Sequence, residues 1–442
     1  MGIPESLLVL AMSILAVVVL ATHKSGRGMG SFLLGVSAGL VAIQVFRVHV
    51  FTITALVWVL QSRGLFNARG FNRAWRMLIP VALMALTSLL GDMVNSETLV
   101  FQLLGLAVTA MVIMSYSTAL DRQQMLVGLL AVTTISSVLA LLQVVGIVPI
   151  KTWHATISTL GRPIGIYPEP DWLGMFSGIG VLLAWRLPLG RWWRIFAVSA
   201  NTAALVLAFA RAAWIGFGVA VVLTAVIGYL IRRRGKQKSA GQGRGGSVLV
   251  LALATAGAFV FLPQLVIDLT VRLNRTFQVQ QDDISGQARV RQFDALMRLA
   301  DMAPLYGHGL SASGRVGVWG QIITGESPNN VASNWLLAMW VDGKFLAVPL
   351  MLVLIFTAAR YCRTISGQAL VLVLVSSLFS NATFFPVTWL LLALCLAEVK
   401  LDKPSSVRGH DAPRQGGLNF RQSPFQSPGS FAQIGRTRLE TP

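Results

Sequence analysis

Four stretches set polar chemistry into an otherwise apolar chain. In "GRPIGIYPEPDWLGMF", residues 161–176, Arg162, Glu169 and Asp171 lie in a Pro- and Gly-punctuated loop leading into an apolar run. The pattern reads as a helix start with Asp171 as N-cap, which still leaves Glu169 able to face a ligand. In "LAFARAAWIGFG", Arg211 stands between two apolar runs. An arginine at mid-bilayer costs about 2.5–3.5 kcal/mol on insertion scales, and such residues usually face a cavity or a substrate. "SGQARVRQFDALMRLADMAPLYGHGLSASG", residues 285–314, carries Arg289, Arg291 and His308, and "SPNN" supplies Asn329 and Asn330. In the third stretch the glycines flanking His308 predict a tight turn whose backbone N–H groups can approach a ligand closely.

The elements that must position these groups are membrane helices. Of 442 residues, 55% are hydrophobic and 12% charged, against about 25% charged in an ordinary soluble domain. Runs long enough to cross a bilayer core, roughly 20 apolar residues each, recur along most of the chain. The expected fold is all-α: a polytopic membrane protein of about 12 transmembrane helices, 12 or 13 depending on whether 31–60 is one span or two, with one large external loop. Glu5–Thr22 reads as a retained span rather than a cleaved signal. Cys362 and Cys395 form no C-x-x-C pair, so neither a disulfide framework nor a zinc site is expected.

The net charge of +19 is a topology signal. Arginines 63–76 and the basic run 232–244 mark cytoplasmic connections, and no basic-aromatic module points to nucleic acid. Alternating spans from there puts 117–123, 186–192, 232–246 and 360–366 inside. Residues 149–170, the neighbourhood of Arg211 and 264–332 fall outside. The expected organisation is a membrane domain, 1–399, and a Ser-, Pro-, Gln- and Gly-rich tail, 400–442, that is disordered and cytoplasmic.

Within the external loop 264–332, six arginines balance six acidic residues. Arg289, Phe293, Leu296 and Ala300, with Leu299 beside them, give the spacing of an amphipathic helix over 287–302, which Pro304 ends. After Asn329-Asn330, a short apolar helix is expected to break at Asp342-Gly343 before the next span.

In this order the four stretches resemble the O-antigen ligase and polymerase superfamily of bacterial envelope glycan enzymes. "RPIGIYPEP" is similar to that family's arginine- and proline-containing loop before a span, and "ARAAW" to its Ser-Arg-Gly-Ala signature, with Ala210 in place of Ser. Arg289, Phe293 where Trp is common, Pro304 and Gly307-His308-Gly309 follow its best-matched segment. Ligases of the family carry a His-Asn pair before the last spans. Here Asn329-Asn330, or Ala332-Ser333 counting back from Gly343, stand there instead, which tilts the reading toward a polymerase or exopolysaccharide transferase.

The resemblance implies a glycan donor on a polyprenyl diphosphate, a glycan or lipid-glycan acceptor, contact with membrane lipids, and a site on the periplasmic face of the bacterial inner membrane. Guanidinium forks suit the oxygens of a leaving diphosphate: Arg211 and Arg289 first, Arg162 and Arg291 behind them. Asn329 and Asn330 are further substrate-binding candidates. Glu169 and His308 are the candidate bases. No cofactor is expected, and the lack of an outer-face Asp-x-Asp pair favours metal-independent transfer. The rival from another class is a transporter, such as a flippase for lipid-linked sugars, which would need a polar pathway through the spans.

Overall fold

The computed structural model describes residues 26–41, 43–45, 48–61, 66–150, 162–234, 284–317, 319–325 and 331–397. Among them are twelve α-helices: α1 (Gly26–Gly39), α2 (Val50–Gln61), α3 (Ala68–Leu90), α4 (Thr98–Tyr116), α5 (Ala119–Val144), α6 (Pro170–Arg186), α7 (Arg191–Leu207), α8 (Arg211–Arg234), α9 (Ile284–Met302), α10 (Trp335–Tyr361), α11 (Ile365–Ser376) and α12 (Pro386–Ala397). A two-residue antiparallel pair, Gln44–Val45 with Val48–His49, joins α1 to α2. The expected span Glu5–Thr22 and the tail from Lys400 lie outside the described residues.

Four helices, α3, α4, α5 and α10, are long and apolar enough to cross a membrane, and α2, α8, α11 and α12 contain shorter apolar runs. At 1.5 Å per residue the 26 residues of α5 span about 39 Å, more than the roughly 30 Å hydrocarbon core. The chain is a helical, multi-pass membrane protein.

Short polar signals begin these helices. Asn67 caps α3 by accepting from the N–H groups of Arg69 and Gly70, Thr118 and Asp121 form a capping box at α5, and Asn334 caps α10. The caps satisfy N–H groups that a helix leaves open at its start. One end of the bundle is basic. Arg27 pairs with Asp121 at 2.6 Å, Arg73 donates to Leu396 O at 3.0 Å, and Arg186 donates to Arg363 O at 3.1 Å. The first and third contacts involve the α4–α5, α6–α7 and α10–α11 connections, three of the four that charge alternation assigns to one side.

At the opposite end, the α3–α4 connection meets the segment after α9: Met93 N donates to His308 O at 3.0 Å and Ser96 N to Ser311 Oγ at 2.7 Å. The Pro170 end of α6 and the Arg211 end of α8 adjoin, since a Cβ on Gly174 would lie 2.6 Å from that of Ala210. From Leu173 to Ala184 every residue of α6 is buried. A polar network ties α6 to its neighbours: Ser137 Oγ reaches Ser177 Oγ at 3.1 Å and donates to Asn201 Oδ1 at 2.9 Å, while Asn201 Nδ2 donates to Thr134 Oγ1 and Ala197 O. The central helix therefore carries its first residues on a rigid mount.

The predicted break in α10 falls one residue later than expected, at Lys344 with φ 39° and ψ −118°. The buried Asp342 carboxylate accepts from Ser311 N at 2.9 Å and Ser313 N at 2.7 Å, and Lys344 Nζ donates to Ala303 O at 2.6 Å. The kink is thus the seat on which the segment after α9 docks.

Candidate functional site

The loop before α6 is shaped from beneath by α5. Gln143, buried in that helix, accepts from Ile164 N and Gly165 N, both at 2.9 Å, and donates to Gly165 O at 3.2 Å. Gly165 has φ +60°, and a Cβ there would meet Ser136 Oγ at 2.3 Å, so only glycine fits the turn. Tyr167 is buried and stacks on Phe176 with ring centroids 4.5 Å apart. Held this way, the chain enters α6 with Glu169 extended at the N-cap position and Pro170 as the first helical residue.

Asp171 is therefore not the N-cap, contrary to expectation, because proline's fixed φ suits the first helical position and moves the cap back to Glu169. The Asp171 carboxylate turns instead to two guanidiniums: Arg289 Nη2 donates to Oδ2 at 2.9 Å, and Arg162 Nη1 lies 3.6 Å from Oδ1. All three side chains are partly exposed. Burial pushes the Glu169 carboxyl above the usual glutamate range and the Asp171 charge adds to this, while Arg289 and Arg162 pull the other way. Arg162, Glu169, Asp171 and Arg289 form one cluster, drawn from segments 118 residues apart.

Arg289 is delivered by α9. That helix is amphipathic as predicted, but its buried face runs through Ala288, Gln292, Ala295, Leu296, Leu299 and Ala300, and Phe293 is 47% exposed. Small alanines let α9 pack closely on the cluster formed with Val316, Leu337, Ala338 and Val341. Gln292 can be buried with them because Ser333 Oγ donates to its Oε1 and its Nε2 donates to Val316 O. The stripe is rotated by one residue from the expected one, which leaves Arg289 and Phe293 one turn apart on the rim.

Arg211 is the first residue of α8 and is exposed. Its helix begins against Gly174, one turn along α6 from Asp171. Arg291 points elsewhere, with its guanidinium carbon 6.0 Å from the ring centroid of Trp319. Asn329 and Asn330 lie outside the described residues.

His308 sits in the predicted turn, between Gly307 at φ +80° and Gly309 at φ +100°. It is not a solvated turn residue. Its ring is buried, Nδ1 lies 2.9 Å from Asp92 Oδ1, and Nε2 donates to Leu299 O at 3.2 Å. The hydrogen bond to His308, and secondarily nearby positive charge, holds the Asp92 carboxyl below the usual aspartate range. With both ring nitrogens engaged, His308 ties the α3–α4 connection to the end of α9 rather than joining the Asp171 cluster.

Three residues of this end escaped the sequence reading. Asp92 looks like an ordinary helix stop after Gly91, and Asp342 like part of a helix break. Gln143 was the most findable, since a glutamine within a span has to find a partner.

Comparison with known proteins bears on this region directly. Residues 195–343 match the family model described as O-antigen ligase. No curated protein matches the chain. The matched segment runs from α7 to the kink of α10 and holds Arg211, Arg289, His308 and Asp342, while Arg162, Glu169 and Asp171 reach the cluster from outside it. Through residues 195–343, the chain is similar to the O-antigen ligase family, as the resemblance read from its four polar stretches led us to expect.

Proposed function

We propose that the protein transfers or polymerises glycan units from a polyprenyl-diphosphate-linked donor on the outer face of the bacterial cytoplasmic membrane. The observation that carries this reading is the joining of Arg162, Glu169, Asp171 and Arg289 at the end of the bundle opposite its basic connections.

In the reaction an acceptor hydroxyl attacks the anomeric carbon of the donor sugar, the bond from that carbon to the diphosphate oxygen breaks, and the lipid diphosphate leaves. Negative charge grows on its oxygens as it departs. Arg289 and Arg162 supply planar donors for them, and Arg211, at the start of the adjoining α8, supplies a third charge. Glu169 takes the proton of the acceptor hydroxyl; its partial burial, which weakens the charged form, makes it a stronger base once ionised. Asn329 and Asn330 remain proposed as contacts to the sugars, whereas Arg291, its guanidinium over the Trp319 ring, is given no contact to the diphosphate.

The absent ligase histidine favours a polymerase or exopolysaccharide transferase over a ligase acting on a lipid core. At the two alternative positions, Ala332 is buried in the α9–α10 packing and Ser333 is bound to Gln292. Polar side chains within the bundle, such as Asn201, Ser137 and Thr224, are engaged with other protein groups, which supports a transferase over a transporter.

Purified protein in detergent, given lipid-linked repeat units, should yield longer chains or a transferred glycan. Movement of the lipid headgroup in liposomes without any transfer would make the protein a transporter instead.

A further inference from the structure

We infer that Asp171 is a stand-in for the donor's diphosphate: its carboxylate holds Arg289 and Arg162 in the empty site, yields them when the donor arrives, and takes them back when the lipid diphosphate leaves. This rests on the reading above and assigns a positioning role to a residue that the helix-cap reading left without one.

Three features support it. First, Asp171 does not cap its helix; Glu169 occupies the N-cap position with no side-chain cap bond, and the Asp171 oxygens go to separate guanidiniums, Oδ2 to Arg289 at 2.9 Å and Oδ1 toward Arg162 at 3.6 Å. An oxyanion offering two oxygens to two arginines has the recognition geometry of a phosphate. Second, the contact is open to exchange, with side chains 22% exposed at Asp171, 24% at Arg162 and 40% at Arg289. Ion pairs that reach solvent hold their partners weakly, and a diphosphate brings more charge and more acceptor oxygens than one carboxylate. Third, the two partners sit on differently mounted elements. Asp171 stands at the start of the buried α6, whereas Arg289 comes on α9, so exchanging one for a diphosphate leaves the packing of either helix intact.

A competitor built into the site has a recognisable kinetic mark. Removing its charge should tighten donor binding, because the donor no longer displaces an anion, and should slow turnover, because nothing drives the spent diphosphate off the arginines. A purely structural ion pair predicts weaker binding instead.

The test uses the full chain in detergent micelles, with equilibrium binding of polyprenyl diphosphate and steady-state transfer measured in parallel. Asp171→Asn and Asp171→Ser should each bind the probe about tenfold more tightly and lower both KM for the donor and kcat, while Asp171→Glu should return both toward wild type. Arg289→Ala should bind at least tenfold more weakly, and adding Asp171→Asn to it should restore little. Unchanged or weaker binding in monodisperse Asn and Ser variants overturns the stand-in role. Wild type and Arg289→Ala binding the probe equally would overturn the proposed function itself, so the two failures are told apart.

Discussion

At the scale of single residues, chemistry is divided between two polar clusters at the same end of the molecule. Around Asp171 the groups are partly exposed and mutually charged, as the proposed binding of an anionic substrate requires. Around His308 they are bound to one another, as a fastening requires. Glu169 gives the first prediction. As a base it must be ionised, so transfer should rise with pH through a titration above that of an ordinary glutamate, set by burial and Asp171. Glu169→Gln should lose that limb of the pH–rate profile and about 100-fold or more in rate, within the range typical of a general base. His308→Gln should instead impair the α9 fastening, lowering thermal stability while leaving the position of the pH limb unchanged.

At the scale of elements, the site depends on two mounts. One is the Gln143 clamp, which fixes the loop of Arg162 and Glu169 from below. Gln143→Leu leaves two N–H groups and a carbonyl without their partner, at about 1–3 kcal/mol for each buried group, and should cost activity through kcat more than through donor KM. The other is the close packing of α6. A Cβ on Gly180 would lie 2.1 Å from Asn201 Oδ1, so Gly180→Val should destabilise the fold by about 1–3 kcal/mol through overpacking, seen as a lower thermal midpoint in detergent.

Much at this scale was legible beforehand. Pro304, the two glycines around His308 and the polar interruption near Gly343 announced their helix ends because backbone chemistry is local. The rotation of α9 was not legible. Its alanines and Gln292 become a buried face only because α10 offers a complementary surface and Ser333 offers a partner. Likewise Asp171 read as a cap, since the spacing of Pro170 and Asp171 does not reveal that arginines from elsewhere will arrive.

At the scale of the whole molecule, the separation of charge is the organising feature. Basic connections lie at one end, where Arg27, Arg73 and Arg186 tie helices together, and the mixed-charge cluster lies at the other. In the proposed orientation the basic end faces the cytoplasm, the side that an excess of Lys and Arg favours. A single cysteine placed at Gln287, in a Cys362→Ser, Cys395→Ser background, should react with a membrane-impermeant thiol reagent on intact spheroplasts, and one placed at Arg69 should not. The reverse pattern would invert the assigned topology. The measurement that bears most directly on the central claim is transfer from a polyprenyl-diphosphate-linked repeat unit by purified wild type, Arg289→Ala and Arg211→Ala. Wild type should extend or transfer the glycan, and each variant should insert normally yet lose about 100-fold or more in rate, by analogy with removal of one oxyanion donor. Full activity in both variants would contradict the account.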